Sequence, residues 1–144
     1  MRNAIKMSLA MFVLSFAAGC ANIATATLDP GTDLAKVKTA YVVKLPKDER
    51  GVNTLIVEKL KSKGVTATTG AETKPAADVD AVVTYADRWH WDMAMYMLEL
   101  TITVRDPKND FPLATGRSLH GSLTRKSPKE MVDEVVESIY KGKK

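Results

Sequence analysis

The run from Tyr96 to Arg105 alternates without a break. Tyr96, Leu98, Leu100, Ile102 and Val104 share one parity, and Met97, Glu99, Thr101, Thr103 and Arg105 the other. Successive side chains of a strand point to opposite faces, so this run specifies a sheet with one face buried and one face wet. Leu98 and its parity mates are expected in the core, Met97 and Glu99 on the wet face.

Around that strand the chain supplies the rest of a sheet and two helices. Thr39 to Leu45 is β-branched and aromatic, and Pro46 ends it. Val52, Leu55, Ile56 and Leu60 recur at helical spacing within Asp48 to Lys63, with Gly64 placed as a C-terminal cap. A short strand, Val65 to Thr68, and a polar loop, Gly70 to Ala77, lead into an extended stretch from Val79 to Trp91. The turn residues Asp106 to Asp110 then lead to a last strand, Leu113 to Thr124. Ser127, Pro128 and Glu130 form a capping box ahead of the stripe Met131, Val132, Val135, Val136, Ile139 and Tyr140. The order β-α-β-β-β-β-α predicts a two-layer α+β domain, one mostly antiparallel sheet carrying both helices on one face. That single domain is expected over residues 37–144.

The amino-terminal region reads as an address. Arg2 and Lys6 precede an apolar run, Met7 to Ala18, broken only by Ser8 and Ser15. The run is shorter than the roughly 20 residues that a bilayer-spanning helix needs. A charged start, a short apolar middle and a small-residue end make a secretory signal peptide. The end, Ala17-Ala18-Gly19-Cys20, resembles the bacterial lipoprotein signal, in which the Cys becomes the lipid-modified amino terminus; the family usually has Leu where this chain has Ala17. Residues 1–19 are then the signal peptide and Cys20 the lipidation site. Ordinary cleavage near Ala24-Thr25-Ala26 is the alternative and would leave no lipid. In the family's sorting rule Asp after the Cys retains a lipoprotein in the inner membrane, and here Ala21 follows. The resemblance therefore implies an outer-membrane anchor and a domain facing the periplasm. Residues 20–36, rich in Ala, Thr, Asp, Pro and Gly, read as a lipidated tether or loosely docked arm.

Cys20 is the only cysteine, so no intramolecular disulfide forms and a packed core must supply stability. The formal charge of +4 includes Arg2 and Lys6, both lost on cleavage, which leaves the mature chain only mildly basic. No basic stripe with interleaved aromatics suits nucleic acid. No cofactor is implied.

Three stretches together resemble a group of small Gram-negative lipoproteins of unknown function. They are the Asp33-Leu34-Ala35-Lys36-Val37-Lys38-Thr39 run, the Asp87-Arg88-Trp89-His90-Trp91-Asp92 segment followed by Tyr96, and the Arg117 to Val136 ending. The arrangement is similar, more loosely, to the amino-terminal module of TolB-like proteins and to lipopolysaccharide-assembly lipoproteins. Neither resemblance brings catalytic residues with it.

The unusual chemistry gathers between Tyr85 and Met97. This stretch holds both tryptophans, His90, Met93, Met95 and Met97. One reading is core, with the aromatics and methionines under the helices and Arg88 paired to Asp87 or Asp92. A second is a partner-binding surface made by Arg88, Trp89, Trp91, Tyr96 and Met97, residue types enriched at interface centres. A third is a Cu(I) or Ag(I) site using His90 with Met93, Met95 and Met97, since soft thioethers select such ions. Catalysis is not expected. His120 lies near Ser118 and Ser122 on one strand, where a sheet-surface histidine is the simpler reading. No Gly-x-Ser-x-Gly elbow, phosphate loop, His-Glu-x-x-His or paired-Cys motif occurs. The function expected is a non-enzymatic envelope lipoprotein, an accessory or scaffold module held to the membrane through Cys20 and binding another envelope component, with an envelope protein as partner. The soft-metal binder is the alternative.

Overall fold

The computed structural model describes residues 22–75 and 78–142. Cys20 and the leader lie outside that range. Six strands form one mixed sheet: β1 (Ile23–Leu28), β2 (Thr39–Val43), β3 (Thr66–Gly70), β4 (Ala81–Asp92), β5 (Ala94–Arg105) and β6 (Pro112–Leu119). Their spatial order is β1-β6-β5-β4-β2-β3. β2 runs parallel to both β3 and β4, and the remaining neighbours are antiparallel. Helix α1 (Val52–Ser62) joins β2 to β3, and α2 (Pro128–Lys141) closes the chain. α2 lies over β1, β5 and β6, α1 over β2 and β3, and the two helices touch each other. The expected two-layer α+β architecture is what the chain adopts.

The apolar stripes explain this packing. Val52, Ile56 and Leu60 of α1 and Met131, Val132, Val135, Val136 and Ile139 of α2 are buried against Val42, Val83, Leu100 and Ile102 of the sheet. Gly116 brings α2 close, because a Cβ there would stand 2.7 Å from Ile139 Cγ1 and 2.8 Å from Val135 Cγ1. The capping box of α2 forms as expected: Ser127 Oγ accepts from Glu130 N, and Glu130 Oε2 accepts from Ser127 N at 2.8 Å. α1 begins later than its pattern suggests. Gly51 turns the chain at φ 70°, and the Asp48 carboxylate caps the helix by accepting from Asn53 N at 3.0 Å.

Two expectations change. Ile23–Leu28, read as part of a tether or loosely docked arm, is an edge strand zipped antiparallel onto β6 from Ile23↔Leu119 to Leu28↔Ala114. A bare β6 would expose a row of unpaired N–H and C=O groups, and Ala26 and Leu28 also gain cover against the core. Second, the alternation of β5 slips. Arg88 pairs with Glu99 but the next residue, Trp89, pairs with Met97, so Leu98 is an extra, unpaired residue. One added residue exchanges the faces of everything beyond it. Leu100, Ile102 and Val104 are buried and Glu99, Thr101 and Thr103 are not, as expected. Met97, expected to be wet, is core at 1 % exposure. Tyr96 points to the opposite face.

Candidate binding surface

β4 and β5 outrun their neighbours. β6 pairs with β5 only from Glu99 onward, and β2 pairs with β4 only as far as Val83. The stretch from Trp89 to Met97 is thus a two-stranded arm projecting from the end of the sheet where β2, β4 and β6 finish. It carries two unlike faces.

On the helix side lie Trp89, Trp91, Met95 and Met97, paired Trp89↔Met97 and Trp91↔Met95. The inner pair is covered. Met97 enters the core, while the half-buried Trp89 donates Nε1–H to Asp87 Oδ2 at 2.6 Å and is stacked by the Arg50 guanidinium at 4.0 Å. The outer pair is open: Trp91 is 68 % exposed and Met95 49 %. Met93 at the tip is 90 % exposed and holds a φ of 59°. Gly or Asn would occupy that left-handed position at lower cost, so Met93 is kept there against the local backbone preference.

On the other face His90 meets Tyr96 edge-on, and Arg125 lies over the Tyr96 ring at 4.4 Å. Arg125 also donates to the Asp92 carbonyl at 2.7 Å and to its carboxylate at 3.3 Å. These bonds hold the 3-10 turn Ser122–Thr124 against the arm, and in that turn Leu123 is 88 % exposed. Further in, Glu99 takes ion pairs from Arg88 at 2.7 Å and from Arg117. The Arg117 guanidinium, aided by Arg88, holds the Glu99 carboxyl below its ordinary value.

Of the predicted contact residues, only Trp91 is both apolar and open. Tyr96 and Met97 are buried, Trp89 is roofed by Arg50, and Arg88 faces away and pairs with Glu99 instead of Asp87 or Asp92. The predicted metal ligands are not brought together either. His90 lies on the face opposite Met95 and Met97, and the thioether of Met97 is inside the core. Among the described residues no group of His, Cys, Asp and Glu is placed to hold a metal ion. Leu123 escaped the sequence reading because an isolated Leu in a polar turn carries no periodic signal.

Two further polar arrangements surround the arm's base. A cleft of about 490 Å³ is lined by Leu45, Pro46, Asp48, Arg50, Asp87 and Trp89, among others. Behind two of its lining residues, the buried Tyr85 donates its hydroxyl to Asp48 Oδ2 at 2.7 Å and accepts from Leu45 N at 3.2 Å. Burial alone would raise the Asp48 carboxyl, but the Tyr85 hydroxyl and backbone N–H donors bring it below its ordinary value. The same burial, with Asp48 nearby, pushes the Tyr85 phenol well up. The second arrangement lies under α2. Glu134 accepts from Ser118 Oγ at 2.5 Å, His120 Nε2 at 2.7 Å and Lys126 Nζ at 2.8 Å. His120, read from sequence as a sheet-surface residue, is 3 % exposed, and Ser118 is fully buried. The Ser118 hydroxyl goes to Glu134 and not to the imidazole, so these bonds fasten α2 to the end of β6. Burial opposes the charge on Glu134, yet Lys126, Ser118 and His120 bring its carboxyl down to about 2.

The mixed sheet with both helices on one face and a projecting β4–β5 arm defines the class, a two-layer α+β domain. Among solved structures it is similar to the PelC dodecamer from Paraburkholderia phytofirmans, at TM-score 0.61 and 12 % identity over 81 % of this chain and 98 % of that one. A point variant of the same dodecamer in another crystal form gives TM-score 0.59 at 12 % identity, over 83 % of this chain and 98 % of the other. A PDZ domain protein from Parabacteroides distasonis matches at TM-score 0.51 and 14 % identity, over 81 % of this chain but 34 % of that one. At these identities the likeness is one of fold. No protein-family model and no curated protein matches the chain.

Proposed function

We propose that this chain is a non-enzymatic cell-envelope lipoprotein, anchored to the outer membrane through Cys20 with its domain on the periplasmic side. It serves as an accessory or scaffold module that engages another envelope component through the end of the β4–β5 arm. The observation that carries this reading is the pairing of a hydrogen-bonded two-stranded arm with apolar side chains left open on it: Trp91, Met93 and Met95. Large apolar side chains presented together on an ordered element suit contact with another surface. The membership in the group of small lipoproteins suggested by the Trp89-His90-Trp91-Asp92 segment belongs to the same proposal. The PelC neighbours are dodecamers, so a second copy of this chain is one component such a module could hold.

Site-specific photo-crosslinking in the intact envelope tests the proposal. A crosslinker at position 93 is expected to give adducts to the contacted component, protein or lipid, that Trp91→Ala weakens at matched abundance. A crosslinker at Phe111, at the other end of the sheet, serves as the control. Absence of an adduct at 93, or the same products from 111, would overturn the reading.

A further inference from the structure

The strand that replaces the expected tether decides where the membrane must be. β1 starts at the end of the sheet that carries the arm, since Ile23 pairs with Leu119 and β6 ends there. Asn22 is held at that end, its side chain accepting from Thr124 Oγ1 at 2.7 Å. Cys20 is only two residues before Asn22. A chain spans at most about 3.6 Å per residue, so the lipid-bearing residue cannot stand more than about 7 Å beyond Asn22. With β1 zipped into the sheet, that short reach is all that would separate a lipid on Cys20 from the arm end of the domain.

The side chains at that end suit such a position. Of the large hydrophobics that are exposed among the described residues, Trp91, Met93, Met95 and Leu123 are on the arm or the 3-10 turn bonded to it. Phe111 alone is at the opposite end. Leu123 neighbours Thr124, the residue that holds Asn22. Trp favours the headgroup boundary, where an apolar ring can be buried with its N–H still wet. Arg125 is already committed to Asp92 and to the Tyr96 ring, so apolar insertion and not headgroup charge drives the contact.

We propose that the arm end is the lipid-facing end of the domain: Trp91, Met93, Met95 and Leu123 enter the bilayer interface beside the anchored Cys20, and the domain sits on the membrane instead of hanging from it. This names the component contacted by the arm and rests on the anchoring proposed above.

Two readouts on the full chain separate the two claims. Partition into a detergent phase, lost in Cys20→Ser, reports the anchor. The purified lipoprotein carrying Trp89→Phe is then reconstituted in phosphatidylethanolamine–phosphatidylglycerol vesicles with brominated acyl chains, leaving Trp91 as the reporter. Blue-shifted Trp91 emission, quenched about twofold or more by shallow bromines, is expected. Met93→Asp, at an exposed position that leaves the core untouched, is expected to reduce that quenching. Anchored protein with solvent-like, unquenched Trp91 overturns the docking while the anchor stands. Blue-shifted but unquenched emission overturns it in favour of contact with protein, such as a second copy. Detergent partition that ignores Cys20→Ser removes the anchor and the docking together.

Discussion

Glu134 takes three donors, two of them buried at the end of β6, and its removal has a predictable cost. In Glu134→Ala the buried hydroxyl of Ser118 and the buried Nε2–H of His120 lose their acceptor. Stranding buried donors of charge-assisted bonds costs about 3 kcal/mol here, below the sum of separate bonds because the donors share one carboxylate. Glu134→Gln keeps an acceptor oxygen and should cost about 1–2 kcal/mol. The pH dependence gives a sharper test. The folded carboxyl lies at about 2, against an ordinary value of 4.5. At 1.36 kcal/mol per unit the full displacement is worth at most about 3 kcal/mol, and solvent access to this one-fifth-exposed side chain brings it to about 2 kcal/mol. Because the folded value is depressed, this stability is present above pH 4.5 and is lost as pH falls toward 2. Urea unfolding followed by circular dichroism, from pH 7 down to pH 3 in a Cys20→Ser background, measures it. The gap between parent and Glu134→Gln should narrow across that range. Glu137, held down to about 2 by Lys59 and Lys63, is present in both proteins and cancels in the difference. Glu134→Ala within about 0.5 kcal/mol of the parent, or a gap independent of pH, would refute the argument.

The remaining predictions read other links of the fold. Met97→Ala should cost about 2–4 kcal/mol by opening a core cavity, while Trp91→Ala should stay within about 0.5 kcal/mol; equal costs in chemical denaturation would contradict the face exchange at Leu98. Gly116→Ala should lose about 1–3 kcal/mol through overpacking against Val135 and Ile139, with part recovered by Ile139→Val; an unchanged midpoint would mean α2 does not sit this close. Tyr85→Phe should cost about 1–2 kcal/mol and move the Asp48 carboxyl upward, read by NMR titration. Asp48 is depressed below 3.8, so its contribution is present above that pH and lost as pH falls through the folded value, and the variant has less to lose over that range; an unmoved Asp48 would show that Tyr85 is not what holds it down.

Local periodicity and capping were enough to determine the fold class and most of its elements. The α2 stripe with its Ser127–Glu130 box and the alternation from Glu99 to Val104 each need only neighbours along the chain, and the structure keeps them. That aromatic and thioether side chains gather near Trp91 was also legible, though not which of them stay exposed. Tertiary structure decided the rest, because each remaining feature depends on a partner distant in sequence. The slip at Leu98 sends Met97 inward and Tyr96 outward, and it exists only in the register between β4 and β5. Arg50 reaches Trp89 only once the β2–α1 connection folds over the arm's base. β1 looked like a linker because its Ala and Thr carry little hydrophobic signal; β6's open edge and the core beside Leu28 make it a strand. That long-range pairing also places the start of β1 at the end of the sheet that carries the exposed apolar arm, since a strand's direction is fixed by its neighbour and not by its own residues.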